Sequence, residues 1–334
     1  MSFYIGNIEI KGRVILAPMA GITSFSYRKF MSKFGTSLVY SEMISDCGLI
    51  YGNKETKKLL YTDNKESPFA IQLFGGSKDT LVKAIDILEN LNINYDILDI
   101  NLACPVNKVI KGHAGSYWLT DLNNLYDLMR EITKVSYKPV SCKIRLGFND
   151  INVNDVTKLL ENAGVKFIAI HARTRKEMYS GLPHFEYLKD LSKNINIPFA
   201  VSGNIFTVKD GLNALNITNA TALMVARGAI GNPNLITNLN KALNKENYDE
   251  SINLDEQIEY LKEYSRLLIK EKGEDRAISV LKGIAPKFFK DFPNSKFIRK
   301  EITLNCRFYR DLINILDKIK TLNPIMRGTP NPKH

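Results

Sequence analysis

The sequence predicts an α/β chain, a (β/α)8 barrel followed by a small all-helical C-terminal domain. Eight short apolar runs of strand length recur between residues 14 and 228, with amphipathic stretches between several of them. After about residue 245 the alternation stops and only helical periodicity remains. Eight strands separated by helices over that length argue for a closed barrel rather than an open sheet.

The expected strands cover residues 14–20, 37–43, 68–74, 95–101, 139–146, 167–173, 197–204 and 222–228. Residues 80–91 and 154–163 carry apolar positions at helical spacing, each behind a plausible cap. In the tail, residues 254–271, 274–291, 294–305 and 307–321 read as helices, with Ile258, Leu261, Leu268, Leu281 and Ile298 for an inner face. The domains expected are a catalytic barrel over 1–245 and a helical domain over 246–334. A barrel closed by its own strands is expected to bury its core without the tail.

Charge is uneven along the chain. The 334 residues carry +11, and residues 276–334 hold 13 Lys/Arg against 4 Asp/Glu, a balance of +9 that leaves +2 for the rest. A polyanion partner accounts for this better than solubility does. No apolar run approaches the roughly 20 residues of a membrane span, and no signal-peptide pattern opens the sequence. The protein is expected to be cytoplasmic and monomeric. The four cysteines show no C-x-x-C and the four histidines no H-E-x-x-H, so no metal is expected. Phosphate-loop and dinucleotide glycine motifs are likewise missing.

What closes each strand points to function, because a barrel's site lies at the C-terminal ends of its strands. Those ends read Pro18-Met19-Ala20, Glu42, Gln72, Asn101, Lys143, His171, Gly203-Asn204 and Arg227-Gly228. Cys104 follows the fourth strand with Asn101, Pro105 and Lys108 around it, which suits a thiol proton donor beside a polar substrate; the plainer reading is a small buried hydrophobe. The constellation suits flavin mononucleotide (FMN). A cation at Lys143 would stabilise negative charge on the reduced ring, its alternative being an ion pair with Glu42. Gln72 offers an amide to a ring edge, and Gly203-Asn204 and Arg227-Gly228 stand where barrels hold a phosphate. Asn232-Pro233 then reads as the cap and first residue of a helix.

Together, Ala17-Pro18-Met19-Ala20-Gly21-Ile22-Thr23, Ser41-Glu42-Met43, Asp99-Ile100-Asn101 to Cys104-Pro105 and Lys108-Val109, Ala114-Gly115-Ser116, Lys143-Ile144-Arg145, His171-Ala172-Arg173-Thr174-Arg175, and Ala226-Arg227-Gly228 to Gly231-Asn232-Pro233 resemble the tRNA-dihydrouridine synthases, bacterial type. The resemblance spans the whole barrel. It implies FMN held by Pro18, Met19, Ala20, Gln72, Lys143, His171, Ser202, Gly203, Asn204, Ala226 and Arg227. It implies reduction of the flavin by NADPH or NADH, hydride transfer from N5 to C6 of a tRNA uridine, and protonation of C5 by Cys104. Asn101 and Lys143 would contact the uracil, Arg175 the nearby RNA and Lys108 a phosphate, with the basic tail gripping tRNA. Ala103 replaces the glycine usual before the cysteine, Ala172 that after the histidine, and Ser202 and Asn204 flank Gly203 where Asn and Asp are common. Alanine is unfavourable at positive φ, which bears on Ala103. Two rivals are another FMN barrel acting on a free pyrimidine or enone, which needs no basic tail, and a non-catalytic RNA-binding protein, which needs no Cys104.

Overall fold

All eight expected runs contribute a parallel strand to one sheet: β1 (Val14–Leu16), β2 (Val39–Tyr40), β3 (Phe69–Phe74), β4 (Ile97–Leu102), β5 (Val140–Arg145), β6 (Phe167–His171), β7 (Phe199–Ser202) and β8 (Ala222–Val225). The computed structural model describes residues 2–63, 66, 68–290 and 292–321. Neighbours pair in the order β1-β8-β7-β6-β5-β4-β3-β2. The remaining seam, between β1 and the chain entering β2, is bridged by Leu16 N to Leu38 O at 3.0 Å and Ser37 N to Val14 O at 2.8 Å. The sheet is a nearly closed barrel.

Several strands stop short of the predicted ends, which leaves the polar residues on loops beyond them. At β6 the cause is local: Arg173 N turns back onto His171 O at 2.7 Å, a three-residue turn that ends the ladder. β2 is interrupted instead. Tyr40 opposes Ala70, yet Ile44, in a second short strand (Ile44–Ser45), opposes Leu73, so four steps on one side match three on the other. The extra residue makes a bulge after Ser41, whose N–H still donates to Ala70 O at 2.9 Å, and takes Glu42 and Met43 off the ladder.

Strand register sorts the interior into layers. Gln72, Asp99, Ser141 and Phe167 form one lateral row, Asn101, Lys143, Ala169, Ala200 and Ala222 the next, and Arg145, His171 and Ser202 the one after it. Each row advances two residues toward the C-terminal ends, and side chains of one row share a face. Beneath them Ala70 and Ile97 are fully buried, in a cluster that also takes in Phe167, Ile5 and Ile10. Those isoleucines come from a hairpin (Ser2–Ile5 and Ile8–Lys11) outside the expected elements, and Phe3 stacks on Phe167 at 5.9 Å. Gly6-Asn7 between two short apolar runs is the sequence signal for it. The hairpin closes the apolar end of the barrel, opposite the polar mouth. Helices Lys78–Asn90 and Val153–Asn162 follow β3 and β5 near their predicted places and bury Leu81, Ala84, Leu88, Val156 and Leu160.

By compactness the chain falls into two units. One contains residues up to Ser24, Thr36–Ile205 and Lys209–Ala226; the other contains Phe25–Gly35, Phe206–Val208 and the chain from Arg227 onward. This differs from a single cut at 245, and aromatic packing is the reason. Helix Phe25–Ser32 lies against helix Leu254–Lys272, with Tyr27 5.5 Å and Phe30 5.7 Å from the Tyr264 ring and Phe34 5.1 Å from Tyr260. Of the expected tail helices, 274–291 ends at Ile284 and continues as a 3-10 turn, Ala285–Phe289, because Pro286 cannot donate to an α-helical ladder. Helices Ser295–Asn305 and Tyr309–Thr321 follow. The helix after β8 is Asn234–Leu243, so Pro233 holds the cap position, one residue later than the sequence suggested, with no side-chain cap bond. Among the described residues no helix is long and apolar enough to cross a membrane.

Candidate active site

β4 delivers Asp99 and Asn101 to the interior, and Cys104 follows two residues beyond its end. The Asn101 carboxamide oxygen accepts from the backbone N–H of Ala103 at 3.1 Å and of Cys104 at 2.9 Å. From the other side Ser116 donates to Cys104 O through its N–H at 3.2 Å and its hydroxyl at 2.9 Å. Gly115, at φ +63°, packs so closely that a Cβ there would lie 2.9 Å from Cys104 O. Arg145 Nε donates to Ala103 O at 2.8 Å. Ala103 is not among the residues at positive φ, so alanine fits where the family resemblance suggested glycine. The half-buried thiol therefore stands on a backbone fixed from three directions.

Below it, Gln72 Nε2 donates to Asp99 Oδ2 at 2.7 Å, Ser141 Oγ donates to Asp99 Oδ1 at 2.5 Å, and Asn101 Nδ2 donates to Gln72 Oε1 at 2.8 Å. Asp99 is fully buried, and that burial raises its pKa to about 6 against the bonds from Ser141 and Gln72. Gln72 is 1% exposed with its amide already engaged at both ends. Lys143 stands one row above Ser141; burial, then the nearby Arg145, lowers its ammonium to about 8, partly opposed by Asp99 and Cys104. Among the described residues Lys143 makes no ion pair or hydrogen bond, so the alternative pairing with Glu42 is not what the structure contains. The bulge turns Glu42 instead to the backbone N–H of Gly21.

The upper row is held by arginines. Arg145 is 2% exposed and donates to Thr174 O and Met178 O, both at 2.8 Å; burial lowers it to about 10. Fully buried Arg173 donates to Ser180 O and Gly181 O and sits 3.3 Å from His171 Nε2. A guanidinium can only donate, so His171 accepts at Nε2 and carries its proton on Nδ1. These arginines fix the loop over residues 174–181. Asp99, Ser141, Arg145 and Arg173 escaped the sequence-based choice of site residues, although the alternation of β4 and β5 placed the first three on the same face as Asn101 and Lys143.

The other expected residues are distributed around this centre. Pro18 and Met19 are half-buried and Ala20 exposed, with Met19 N donating to Thr23 Oγ1 at 3.0 Å. Ser202 and Gly203 are buried, and Gly203 and Asn204 have φ of +145° and +46°. Arg175 donates to Asn107 Oδ1 at 2.8 Å and lies 5.1 Å from the Phe148 ring, which puts it beside exposed Lys108. Ala226 ends the barrel unit and Arg227 opens the helical unit, 5.7 Å from the Phe206 ring. An open groove on the loops after β5 and β6, lined by Asn149, Asp150, Thr174, Glu177, His184 and Tyr187 among others, includes none of the expected residues. Among the described residues no cluster could hold a metal ion.

The dihydrouridine synthase (Dus) family model matches residues 15–322. A probable tRNA-dihydrouridine synthase of Rickettsia bellii is 29% identical over 318 residues, 94% of this chain and 96% of that protein. One from Aquifex aeolicus is 30% identical over 93% of this chain and 96% of its own length. tRNA-dihydrouridine synthase B of Pseudomonas aeruginosa is 32% identical over 69% of each. Among solved structures, an amine oxidase from Pseudomonas geniculata superposes with a TM-score of 0.56 at 10% identity, over 73% of this chain and 49% of that one. The old yellow enzyme homologue of Zymomonas mobilis gives 0.50 at 12% identity, over 74% and 93%. Both describe the barrel fold alone.

Proposed function

The chain belongs to the dihydrouridine synthase family, and on that premise we propose that it reduces a uridine of tRNA to 5,6-dihydrouridine in the cytoplasm, with FMN in the barrel mouth and NADPH or NADH as reductant. The observation that carries the reading is the junction of Asn101 with Cys104: the backbone N–H of the thiol-bearing residue donates to the Asn101 carboxamide oxygen at 2.9 Å, close to Lys143, whose ammonium makes no ion pair or hydrogen bond among the described residues. A cation beside buried amides, with no hydrogen-bonded counter-ion among the described residues, suits a ring that gains negative charge on reduction. When bound, FMN would supply the hydride. Lys143 and His171 would hold it from the mouth, with Pro18, Met19, Ala20 and Ser202 to Asn204 on the surrounding loops and Ala226-Arg227 after β8; Gln72, its amide taken by Asp99 and Asn101, would support Asn101 instead of reaching the ring. Cys104 holds the proton delivered to C5, and its fixed backbone places that proton. Asn101 and Lys143 orient the uracil, while Lys108 and Arg175 lie outward for RNA. Extruding a uridine costs on the order of a few kcal/mol, least from an open loop, which suits a tRNA loop.

The test is a half-reaction. Purified protein should be yellow, and after reduction by NADPH its flavin should be reoxidised by unmodified tRNA with formation of dihydrouridine. Cys104→Ala should keep the flavin and its reduction by NADPH yet slow reoxidation by tRNA ~10²–10⁴-fold, the usual worth of general acid catalysis. Near-normal turnover by Cys104→Ala would remove the thiol from the mechanism. Reoxidation by free uracil but not tRNA would favour a small-molecule reductase.

A further inference from the structure

Two independent ends fix the direction of the hydrogen-bond chain beneath Cys104. At one end the Asp99 carboxylate can only accept, so Gln72 must turn Nε2 toward Oδ2 and Oε1 away. At the other, the backbone N–H groups of Ala103 and Cys104 can only donate, so Asn101 must turn Oδ1 toward them and Nδ2 toward Gln72. The middle bond, Asn101 Nδ2 to Gln72 Oε1 at 2.8 Å, satisfies both constraints. Flipping either amide would set donor against donor at a buried contact. Asn101 Oδ1 has both acceptor positions in use. What it keeps is one Nδ2 hydrogen, whose neighbour is the weakly accepting Met43 Sδ at 3.8 Å.

We propose that Asp99 is a positioning residue: through Gln72 it locks the polarity that the Ala103 and Cys104 N–H groups require of Asn101, so that the amide caps the Cys104 loop with its oxygen and presents only N–H to the ligand. Such an amide meets a pyrimidine carbonyl and rejects an exocyclic amino group at the same place. That ligand statement rests on the proposed function; the effect on the Cys104 loop does not.

A competing role for Asp99 is purely electrostatic, since Lys143 and Cys142 on β5 and Tyr40 on β2 all feel its charge. Asp99→Asn separates the two. Asparagine can accept from Gln72 with its oxygen and donate to Ser141 with its nitrogen, so polarity survives while the charge is lost. Asp99→Leu, which keeps the branched skeleton with methyl groups in place of the oxygens, removes both and leaves the buried Gln72 donor unpaired.

The experiment uses the full-length flavin-loaded protein and two readouts: the rate of iodoacetamide labelling at Cys104, followed by peptide mass, and the reoxidation of reduced flavin by tRNA. Asp99→Asn should match the parent in both within about 3-fold. Asp99→Leu should label Cys104 several-fold faster and slow reoxidation about 10-fold or more, the scale of one buried unsatisfied polar group. If Asp99→Asn is as impaired as Asp99→Leu, the carboxylate acts through its charge and the polarity role is overturned. It is overturned equally if Asp99→Leu behaves as the parent. Should Asp99→Leu not fold, Gln72→Met breaks the same chain one link further on, and unchanged labelling of Cys104 in that variant refutes the proposal. A parent protein whose flavin tRNA cannot reoxidise would defeat the functional reading, while the labelling rates would still decide the role of Asp99.

Discussion

The barrel unit and the helical unit differ in how their interiors are held together. The barrel encloses Gln72, Asp99 and Ser141 in one row, each bonded to a neighbour on the adjacent strand, with the thiol and the Lys143 ammonium just above. The helical unit encloses rings, Tyr27, Phe30, Phe34 and Tyr264, along with buried Arg28, while the cations of its C-terminal stretch, Arg276, Lys287, Lys290, Lys296, Arg299, Lys300, Arg307 and Arg310, are exposed. Polar groups in a low-dielectric row act through geometry, and each is costly to misplace. Surface cations act by number, and each is worth little alone. One unit should therefore fail sharply at single positions and the other only by degrees.

The largest expected effect tests where the units divide. Cutting the chain after Asn244 removes Tyr260 and Tyr264, the ring partners of Tyr27, Phe30 and Phe34, so the truncated protein should be insoluble rather than an independent yellow barrel. Soluble, cooperatively unfolding material in a sedimentation and denaturation assay would show that helix Phe25–Ser32 does not depend on the tail. Phe30→Ala asks the same question more gently. Emptying a fully buried phenylalanine site should cost about 3–5 kcal/mol in urea unfolding. The folded fraction should still reoxidise its flavin with tRNA at the parent rate.

Asp99 sharpens the barrel side of the contrast. Its folded pKa, about 6, lies above the ordinary value of 3.8, so between those values the native state binds more protons than the unfolded chain. Stability is then fully present below about pH 4 and falls as the pH rises through 6, by up to about 3 kcal/mol from this group. The difference in unfolding free energy between the parent and Asp99→Asn should change across that window and level off above it. A pH-independent difference would mean that the carboxylate is not penalised by burial. The smallest effects belong to the helical surface. Replacing Lys282, Lys287, Lys290, Arg299 and Lys300 by Gln should flatten the salt dependence of tRNA affinity by about 0.7 to 0.9 for each phosphate no longer neutralised. An unchanged slope would move the RNA grip off these cations.

Strand alternation made much of the site legible. Apolar runs located all eight strands, and their polar ends named Gln72, Asn101, Lys143 and His171, because a side chain at a strand's C-terminal end has few places to go except the mouth. The same alternation carried Asp99 and Ser141, but a residue inside an apolar run reads as core until its cross-strand partner is known. Gln72 illustrates the difference. Its sequence position offered it to a flavin edge, whereas in the structure both ends of its amide are taken by Asp99 and Asn101.

The sequence by itself determined the periodicities, and with them the barrel, the helical tail, the placement of Cys104 beyond β4 and the uneven charge, since all of these depend on neighbours in the chain. Tertiary structure alone decided what depends on pairs distant in sequence. Register between strands set Gln72 against Asp99 and Asp99 against Ser141, and left Lys143 without an ion pair or hydrogen bond among the described residues. A one-residue bulge in β2 turned Glu42 to Gly21. Ring packing assigned helix Phe25–Ser32 to the unit formed by residues more than 200 positions later. The physical reason is common to all three: a hydrogen bond or a ring contact is fixed by separation in space, and only the folded chain sets that separation.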